Sequence, residues 1–218
     1  MTEDTQRILL IDDHPLFLSG LSQLIDGEPG FSVVGEANSG PEGLEKIEAT
    51  EPNLVLLDLN MKEMTGLDVL KTLKQQRPDT LVVMLTVSDS EDDLVTAIRW
   101  GADGYLLKDM EPEDLVEKLH NVSGGQVILT DHLTELLTCS LRNDREKDRG
   151  VPDDSSLTER ERQILALIAE GLSNKLIARE LDISDGTVKV HVRHLLSKLN
   201  LRSRLEAAVW FLEQKAQT

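Results

Sequence analysis

The sequence predicts a doubly wound, parallel α/β sheet followed by a small all-helical domain. In the first 125 residues, short apolar runs alternate with amphipathic segments of helical length. A polar stretch without apolar periodicity then interrupts the chain at residues 142–156, and only short helical patterns follow over residues 157–214. We therefore expect two domains in the 218 residues.

Five runs predict the strands, and nearly all of their residues are apolar. Strands of this kind are typical of a parallel sheet that is covered by helices on both faces. The repeated βα order implies right-handed crossovers and a flavodoxin-like sheet with strand order 2-1-3-4-5. The predicted strands are residues 7–12, 32–36, 54–58, 81–86 and 104–108, and the predicted helices include residues 41–50, 67–76 and 91–100.

Charge is distributed unevenly between the two parts of the chain. Residues 1–155 carry 13 basic and 32 acidic residues, whereas residues 156–218 carry 10 and 8. The acidic part should repel nucleic acid, so only the second part could bind it. We predict a first domain at 1–127, a linker helix and flexible charged linker within 128–155, and a helix-turn-helix domain at 156–218.

Several function classes are not expected for this composition. No apolar run approaches the roughly 20 residues that cross a bilayer, and the first residues carry no secretory signal. The single cysteine, Cys139, excludes an intramolecular disulfide, and the chain has no CxxC motif that would suggest structural zinc. We expect a cytoplasmic chain without a membrane partner.

Polar side chains close or follow four of the five predicted strands: Asp12 and Asp13, Asp58, Thr86, and Lys108. Ligands of an open parallel sheet bind beyond the carboxyl ends of the strands where strand order reverses, so the three carboxylates should meet there. They would repel each other unless a cation lies among them, either a hard divalent ion such as Mg²⁺ or Lys108. Such a pocket suits phosphoryl transfer, with Asp58 as acceptor at the end of a central strand.

A simpler interpretation is that these acids only cap helices at strand–helix junctions. Asp13 precedes His14 and Pro15, and proline is favoured in the first turn of a helix. Capping does not explain why five such side chains occur at four strand ends.

The segments LLIDDHP, LVLLDLNMKEMTG, VVMLTVSD and GADGYLLKD resemble the receiver domains of two-component response regulators. The resemblance covers about residues 7–125. It implies that Asp58 accepts a phosphoryl group from a sensor histidine kinase. It also implies a Mg²⁺ site made by Asp13, Asp58 and the backbone carbonyl of Asn60, with Asp12 assisting through water.

The same resemblance implies roles for three further residues. Thr86 would hydrogen-bond the phosphoryl group, Lys108 would pair with it, and Tyr105 would move inward as Thr86 shifts. One position departs from the common pattern, because Met61 is followed by Lys62 where receivers usually have proline. Lysine also occurs there in nitrate/nitrite regulators, so activity is expected to be retained. The loss of proline's rigid φ and the added charge can change the rates at which the phosphoryl group is gained and lost.

Helix signals recur in the second part of the chain. Thr158 with Glu161 forms a predicted capping box, and Ser173 can cap a second, short helix. Residues 182–184 predict a turn, and a third helix should follow at about residues 185–199. Two short helices joined by a brief turn predict a helix-turn-helix.

The third helix has two distinct faces. Residues 186–205 contain no acidic residue, the longest such run in the chain. At about 100° per residue, a core stripe forms from Val188, Val192, Leu195 and Leu199, and Lys189, Val190, Arg193 and Ser197 lie opposite.

Val190 is the informative residue of that opposite face, because a solvated basic face gives no reason for an apolar side chain between two cations. In a major groove it could pack on a thymine methyl group, while Lys189 and Arg193 reach guanine edges or phosphates. Arg202 and Arg204 follow the helix and are predicted phosphate contacts.

The second domain resembles the LuxR-type DNA-binding domain over residues 157–214, and the whole chain resembles the NarL/NarP group of nitrate/nitrite response regulators in the NarL/FixJ family. The resemblance implies a homodimer on double-stranded DNA, joined through the last helix. The alternative is that the apolar residues of that helix complete a small core. The candidate dimer residues are Leu205, Ala208, Val209, Trp210 and Leu212.

These inferences predict a transcriptional regulator activated by phosphorylation of Asp58 and responsive to nitrate or nitrite. It would not be an enzyme beyond its own Mg²⁺-dependent phosphorylation and dephosphorylation. We also hypothesise that the unphosphorylated receiver covers the face with Lys189, Val190 and Arg193. The alternatives are the same architecture answering another signal, a phosphatase or phosphotransferase for small molecules, and a regulator acting only through protein contacts.

Overall fold

The structure, a computed structural model, describes residues 5–87, 90–126 and 154–216. The predicted linker helix at residues 130–141, including Cys139, lies outside these ranges, and the predicted domain boundaries stay a prediction. The chain divides into two compact units, the first formed by residues 1–90 and 104–123 and the second by residues 91–103 and 124–218.

A five-stranded parallel sheet has the order β2-β1-β3-β4-β5, as predicted. β1 and β3 are the neighbours at which the order reverses, so their carboxyl ends border the expected ligand site. β3 is buried throughout, which agrees with a sheet covered on both faces. The strands are β1 Gln6–Ile11, β2 Phe31–Ala37, β3 Leu54–Asp58, β4 Leu81–Thr86 and β5 Gly104–Leu107.

A helix follows each strand, and local signals fix where two of these helices begin. Thr65 accepts a hydrogen bond from the Asp68 backbone N–H, and the Asp68 carboxylate accepts one from the Thr65 backbone N–H, which completes a capping box. At the start of the helix Gly40–Thr50, the Ser39 side chain accepts a hydrogen bond from the Glu42 N–H, without a reciprocal bond from a capping box. The five helices are α1 Pro15–Asp26, α2 Gly40–Thr50, α3 Gly66–Gln76, α4 Glu91–Arg99 and α5 Pro112–Ser123.

The C-terminal part of the chain has the four helices that the sequence predicted. α6 packs against α8 and α9, and α7 packs against α8. Within the described ranges, no helix is both long and apolar enough to cross a membrane. A short 3₁₀ turn, Asp154–Ser156, precedes α6 Glu159–Ala169, α7 Asn174–Glu180, α8 Asp185–Leu199 and α9 Arg204–Ala216.

The turn between α7 and α8 is built from a helix end and a helix start. Asp182 adopts a left-handed conformation with φ 53°, and the Ile183 N–H donates to the Ala178 carbonyl at 2.9 Å. These features end α7 in a Schellman-type turn. Two residues later, the Ser184 hydroxyl accepts the Thr187 N–H at 3.1 Å and caps α8. One helix therefore ends and the next begins within a few residues, as a helix-turn-helix requires.

A buried carboxylate joins the start of α6 to the end of α8. Glu161 is 3 % exposed, and its Oε2 accepts the Thr158 N–H at 2.8 Å and Lys198 Nζ at 2.7 Å. Burial alone would raise the pKa of Glu161, but the hydrogen bonds from Lys198 and Thr158 outweigh it and lower the pKa below its ordinary value. The ionised form therefore stabilises the folded domain.

Replacing Glu161 by glutamine should lower the free energy of unfolding at pH 7 by about 1–2 kcal/mol. The folded pKa is lowered, so the stabilisation is present above the ordinary value of 4.5 and is lost as the pH falls through the folded pKa. Urea unfolding of residues 156–218, followed by Trp210 fluorescence, measures the effect at pH 7 and again at the acid end of the titration, where Glu161 is protonated in the folded chain. Glu159→Gln is the matched control, because Glu159 is exposed on the same helical turn. An equal loss at both pH values would show that charge is not the cause.

Candidate functional site

The three predicted carboxylates meet at the carboxyl ends of β1 and β3. Asp12 and Asp58 are each only 2 % exposed, and Asp13 is slightly more accessible. One ligand atom from each of these residues and from His14 lies within 4.8 Å of the others. The packing of β1 beside β3 produces this cluster, since the two strands pair in register up to Ile11 and Leu57.

Lys108 supplies the predicted cation in this pocket. Its Nζ lies 2.6 Å from Asp12 Oδ2 and 2.9 Å from Asp58 Oδ1. The Phe17 ring of α1 lies below the same ammonium, at 4.8 Å from its centroid, which is within cation–π range. Sequence reasoning missed Phe17, because nothing in the local pattern links an aromatic residue of α1 to a lysine about 90 positions later.

Asp58 is strongly influenced by its surroundings. Burial is the largest effect and raises the pKa of Asp58, the Lys108 hydrogen bond lowers it, and the negative charge of Asp12 raises it again, with a net increase. Its second oxygen, Oδ2, is buried without a hydrogen-bond partner among the residues that the structure describes. Buried polar atoms are normally paired, so an unpaired carboxylate oxygen here is available to a metal ion or an electrophile.

The donor set fits a hard divalent cation. Asp12, Asp13 and Asp58 offer clustered carboxylate oxygens, which are the ligands that Mg²⁺ prefers. Asn60 is exposed beside them, and its backbone amide is one of the groups that lower the pKa of Asp58. The pocket is therefore compatible with Mg²⁺, while the ligand role of the Asn60 carbonyl stays a prediction.

The loop after Asp58 folds back tightly over the end of β3. The Gly66 N–H donates to the Leu59 carbonyl at 3.0 Å. A Cβ added at Gly66 would come within 2.9 Å of the Asp58 carbonyl carbon and closer still to its oxygen. Sequence reasoning missed Gly66, although a glycine at the first position of the helix after the acceptor loop was a visible signal.

The unusual Lys62 contacts the pocket through its backbone. Its N–H donates to Asp13 Oδ2 at 3.3 Å, and a proline in this position could not make that bond. His14 contacts the same acids from the other side, with Nδ1 at 3.1 Å from Asp12 Oδ1 and 2.9 Å from Asp13 Oδ1. The replacement of proline thus adds a donor to a predicted metal ligand.

Thr86 and Tyr105 lie on the strands next to β3. Thr86 ends β4 and is fully buried, and its carbonyl accepts the Lys108 N–H at 2.8 Å. Tyr105 pairs with Met84 across β4 and β5 and is already buried. The hydrogen bond from Thr86 to a phosphoryl group and the movement of Tyr105 stay predictions.

α8 presents the predicted basic face outward. Lys189 and Arg193 are exposed, and Val190 is 50 % exposed. On the opposite face, Val188, Leu195 and Leu199 are buried, whereas Val192 is half-buried. The division of this helix into a core face and an outer face is thus confirmed, and the DNA contacts themselves stay predictions.

The two arginines after α8 differ in their surroundings. Arg202 is exposed, which suits a phosphate contact, and its guanidinium donates to the Arg99 carbonyl at 3.4 Å. Arg204 donates to Asn174 Oδ1 at 2.6 Å and to the Leu172 carbonyl at 2.5 Å, and burial lowers its pKa to about 10. Since these donors already hold the start of α7, a phosphate contact by Arg204 would have to replace them.

The predicted dimer residues lie on α9. Leu205, Ala208, Val209 and Trp210 are buried within this single chain, and Leu212 is half-buried. Their burial is what the alternative interpretation, a small core, requires. Dimerisation through α9 stays a prediction.

Comparison with known proteins matches a family to each part of the chain. The response regulator receiver domain family matches residues 8–120, and the family of bacterial regulatory proteins, luxR family, matches residues 155–211. The chain is 50 % identical over 213 residues to the nitrate/nitrite response regulator protein NarL of Escherichia coli K12, covering 98 % of each.

Two further relatives span almost the whole chain. Identity to the nitrate/nitrite response regulator protein NarP of Escherichia coli K12 is 42 %, with 96 % of this chain and 95 % of the relative covered. The crystal structure of ChrA, a response regulator in a heme-sensing two-component system, matches with a TM-score of 0.51 and 32 % identity over 97 % of this chain and 98 % of that one. With an acidic pocket at its sheet edge and a helix-turn-helix that presents a basic face, the chain belongs to the two-component response regulators that join a receiver to a LuxR-type DNA-binding domain.

Proposed function

We propose that a sensor histidine kinase phosphorylates Asp58 in a Mg²⁺-dependent reaction, and that the phosphorylated chain binds DNA as a dimer through the outer face of α8. The unpaired Asp58 Oδ2, in a buried pocket where Lys108 holds the other oxygen at 2.9 Å, is the observation that carries the proposal. The pocket places a nucleophile, Asp58 Oδ2, next to the positive charge of Lys108.

The chemistry follows from which Asp58 oxygen is already engaged. Oδ2 attacks the phosphorus of a phosphohistidine, a P–O bond forms, and the P–N bond breaks as the imidazole leaves with the electron pair. Lys108 can then pair with an oxygen of the transferred group, which offsets the added negative charge beside Asp12. Mg²⁺, when bound, supplies further positive charge to the phosphoryl oxygens. The chain itself would catalyse only the gain and loss of this group.

Nitrate or nitrite is the proposed signal, and its support is the similarity to two nitrate/nitrite response regulators. Because the kinase senses the signal, the same architecture answering another signal is the second candidate. A cytoplasmic location agrees with both. A small-molecule phosphatase would leave the exposed Val190 between Lys189 and Arg193 unexplained, and so would a regulator without DNA contacts.

The proposal includes control of the basic face by the receiver. The acidic part of the chain should attract a face bearing Lys189 and Arg193 and should oppose DNA. Phosphorylation adds further negative charge, so it must act by changing the stability of two conformations rather than by charge alone.

Residues 156–218 alone should therefore bind operator DNA without a phosphodonor, and the intact unphosphorylated chain should bind more weakly. Titration of a labelled operator fragment at matched ionic strength compares the two, with and without acetyl phosphate and Mg²⁺. The intact Asp58→Ala chain is the control and should stay weak under both conditions. Equal affinity of the fragment and the intact chain would remove receiver occlusion and leave phosphorylation acting through dimerisation.

A further inference from the structure

An acidic residue immediately precedes the acid-free run of residues 186–205, which includes the outer face of α8. Asp185 is the first residue of that helix, and its Oδ2 lies 3.1 Å from Lys189 Nζ. The Asp185 side chain is 39 % exposed and that of Lys189 is 66 % exposed. The carboxylate itself suits the first turn of the helix, but an exposed ion pair between residues four positions apart contributes little to stability, so folding gives little reason for the bond to Lys189.

The position of Asp185 affects how phosphates can approach. The N-terminus of a helix attracts phosphate, because its N–H groups point outward and the helix dipole is positive there. A carboxylate at the first position of α8 opposes that attraction. Ser184 already accepts the Thr187 N–H, so the start of the helix is capped by the chain itself.

The pair also restrains Lys189. On non-specific DNA nearly all affinity comes from contacts between cations and phosphates, and a lysine ammonium that turned toward the backbone would add one. An ammonium has three donors. Lys189 can therefore keep its bond to Asp185 and still donate to an acceptor on a base edge.

We propose that Asp185 is a specificity-determining residue that acts through Lys189. It holds the ammonium over the base-reading face and keeps it from contributing to non-specific phosphate binding. This inference rests on the proposed function of α8 as the DNA-reading helix. It assigns Asp185 a positioning role, with Lys189 making the contact to DNA.

The test uses the full chain treated with acetyl phosphate and Mg²⁺. The probes are a DNA fragment that the wild-type chain selects from a random-sequence pool and a shuffled fragment of equal composition. Asp185→Asn should bind the shuffled fragment about three- to ten-fold more tightly, with a salt slope steeper by about 0.9 per bound chain. The selected fragment should gain less, so the ratio of the two dissociation constants should fall.

Asp182→Asn is the matched control. Asp182 is exposed in the preceding turn, its φ of 53° suits asparagine, and the change removes the same charge. It should tighten binding to both fragments equally and leave their ratio unchanged. If Asp185→Asn does the same, or weakens both equally, the inference is overturned.

Two further variants separate this inference from the function on which it rests. In a Lys189→Ala chain, Asp185→Asn should no longer change the ratio, and a persisting change would overturn the action through Lys189. Arg193→Ala should abolish most of the preference for the selected fragment. If it changes neither affinity, α8 does not read DNA and the proposed function fails. If it abolishes the preference while Asp185→Asn leaves the ratio intact, only the present inference fails.

Discussion

Replacing Asp58 by alanine should abolish Mg²⁺-dependent labelling of the chain by a phosphodonor. Asp58 is the carboxylate that ends β3, and its Oδ2 has no hydrogen-bond partner among the described residues. Asp12 is equally buried and its Oδ2 also accepts no hydrogen bond within the described residues, but the Lys108 ammonium lies 2.6 Å from that oxygen, and Asp12 Oδ1 accepts the His14 N–H at 2.9 Å. The chain is incubated with radiolabelled acetyl phosphate and separated on a gel under acidic conditions. The measurement is the number of phosphoryl groups bound per chain.

Asp13→Asn is the control that separates acceptor from metal ligand. This substitution should reduce labelling at low Mg²⁺, because it weakens the ion site. Labelling should recover at least in part at high Mg²⁺, because the nucleophile is still present. Asp58→Ala should not recover at any Mg²⁺ concentration. Labelling of Asp58→Ala at full stoichiometry would place the acceptor on another residue.

Replacing Gly66 by alanine should destabilise the receiver by more than about 3 kcal/mol and remove labelling with it. The added Cβ would lie 2.9 Å from the Asp58 carbonyl carbon and 3.0 Å from the Leu59 Cα. Both are backbone atoms, so no side chain can rotate away, and the end of β3 that carries the acceptor would have to move. Thermal unfolding by circular dichroism and labelling of the same preparation measure the two effects.

Gly20→Ala is the matched control for that change. Gly20 lies within α1, and a Cβ added there meets nothing within 4 Å. Alanine in a helix interior should then stabilise the chain by roughly 0.5–1 kcal/mol. Wild-type stability and labelling in Gly66→Ala would contradict the close approach of the loop to β3.

The sequence by itself determined the elements and their faces. All-apolar runs predicted the buried parallel strands, and the Thr158–Glu161 pair predicted the start of α6. The 100° periodicity separated Val188 from Lys189 on α8. These signals depend on backbone geometry over a few residues, so neighbouring sequence is enough to read them. The meeting of Asp12 and Asp58 followed as well, because topology places the ends of neighbouring parallel strands together.

Only the tertiary structure decided which side chains use their polar groups internally. Arg204 lies within the acid-free run, yet its guanidinium donates hydrogen bonds to Leu172 and Asn174, about 30 positions earlier in the chain. Trp210 and Leu205 are buried in the chain itself. Phe17 contacts Lys108 because α1 and β5 approach the same sheet edge. These contacts depend on how separate elements pack together, and no local period or capping signal encodes that packing.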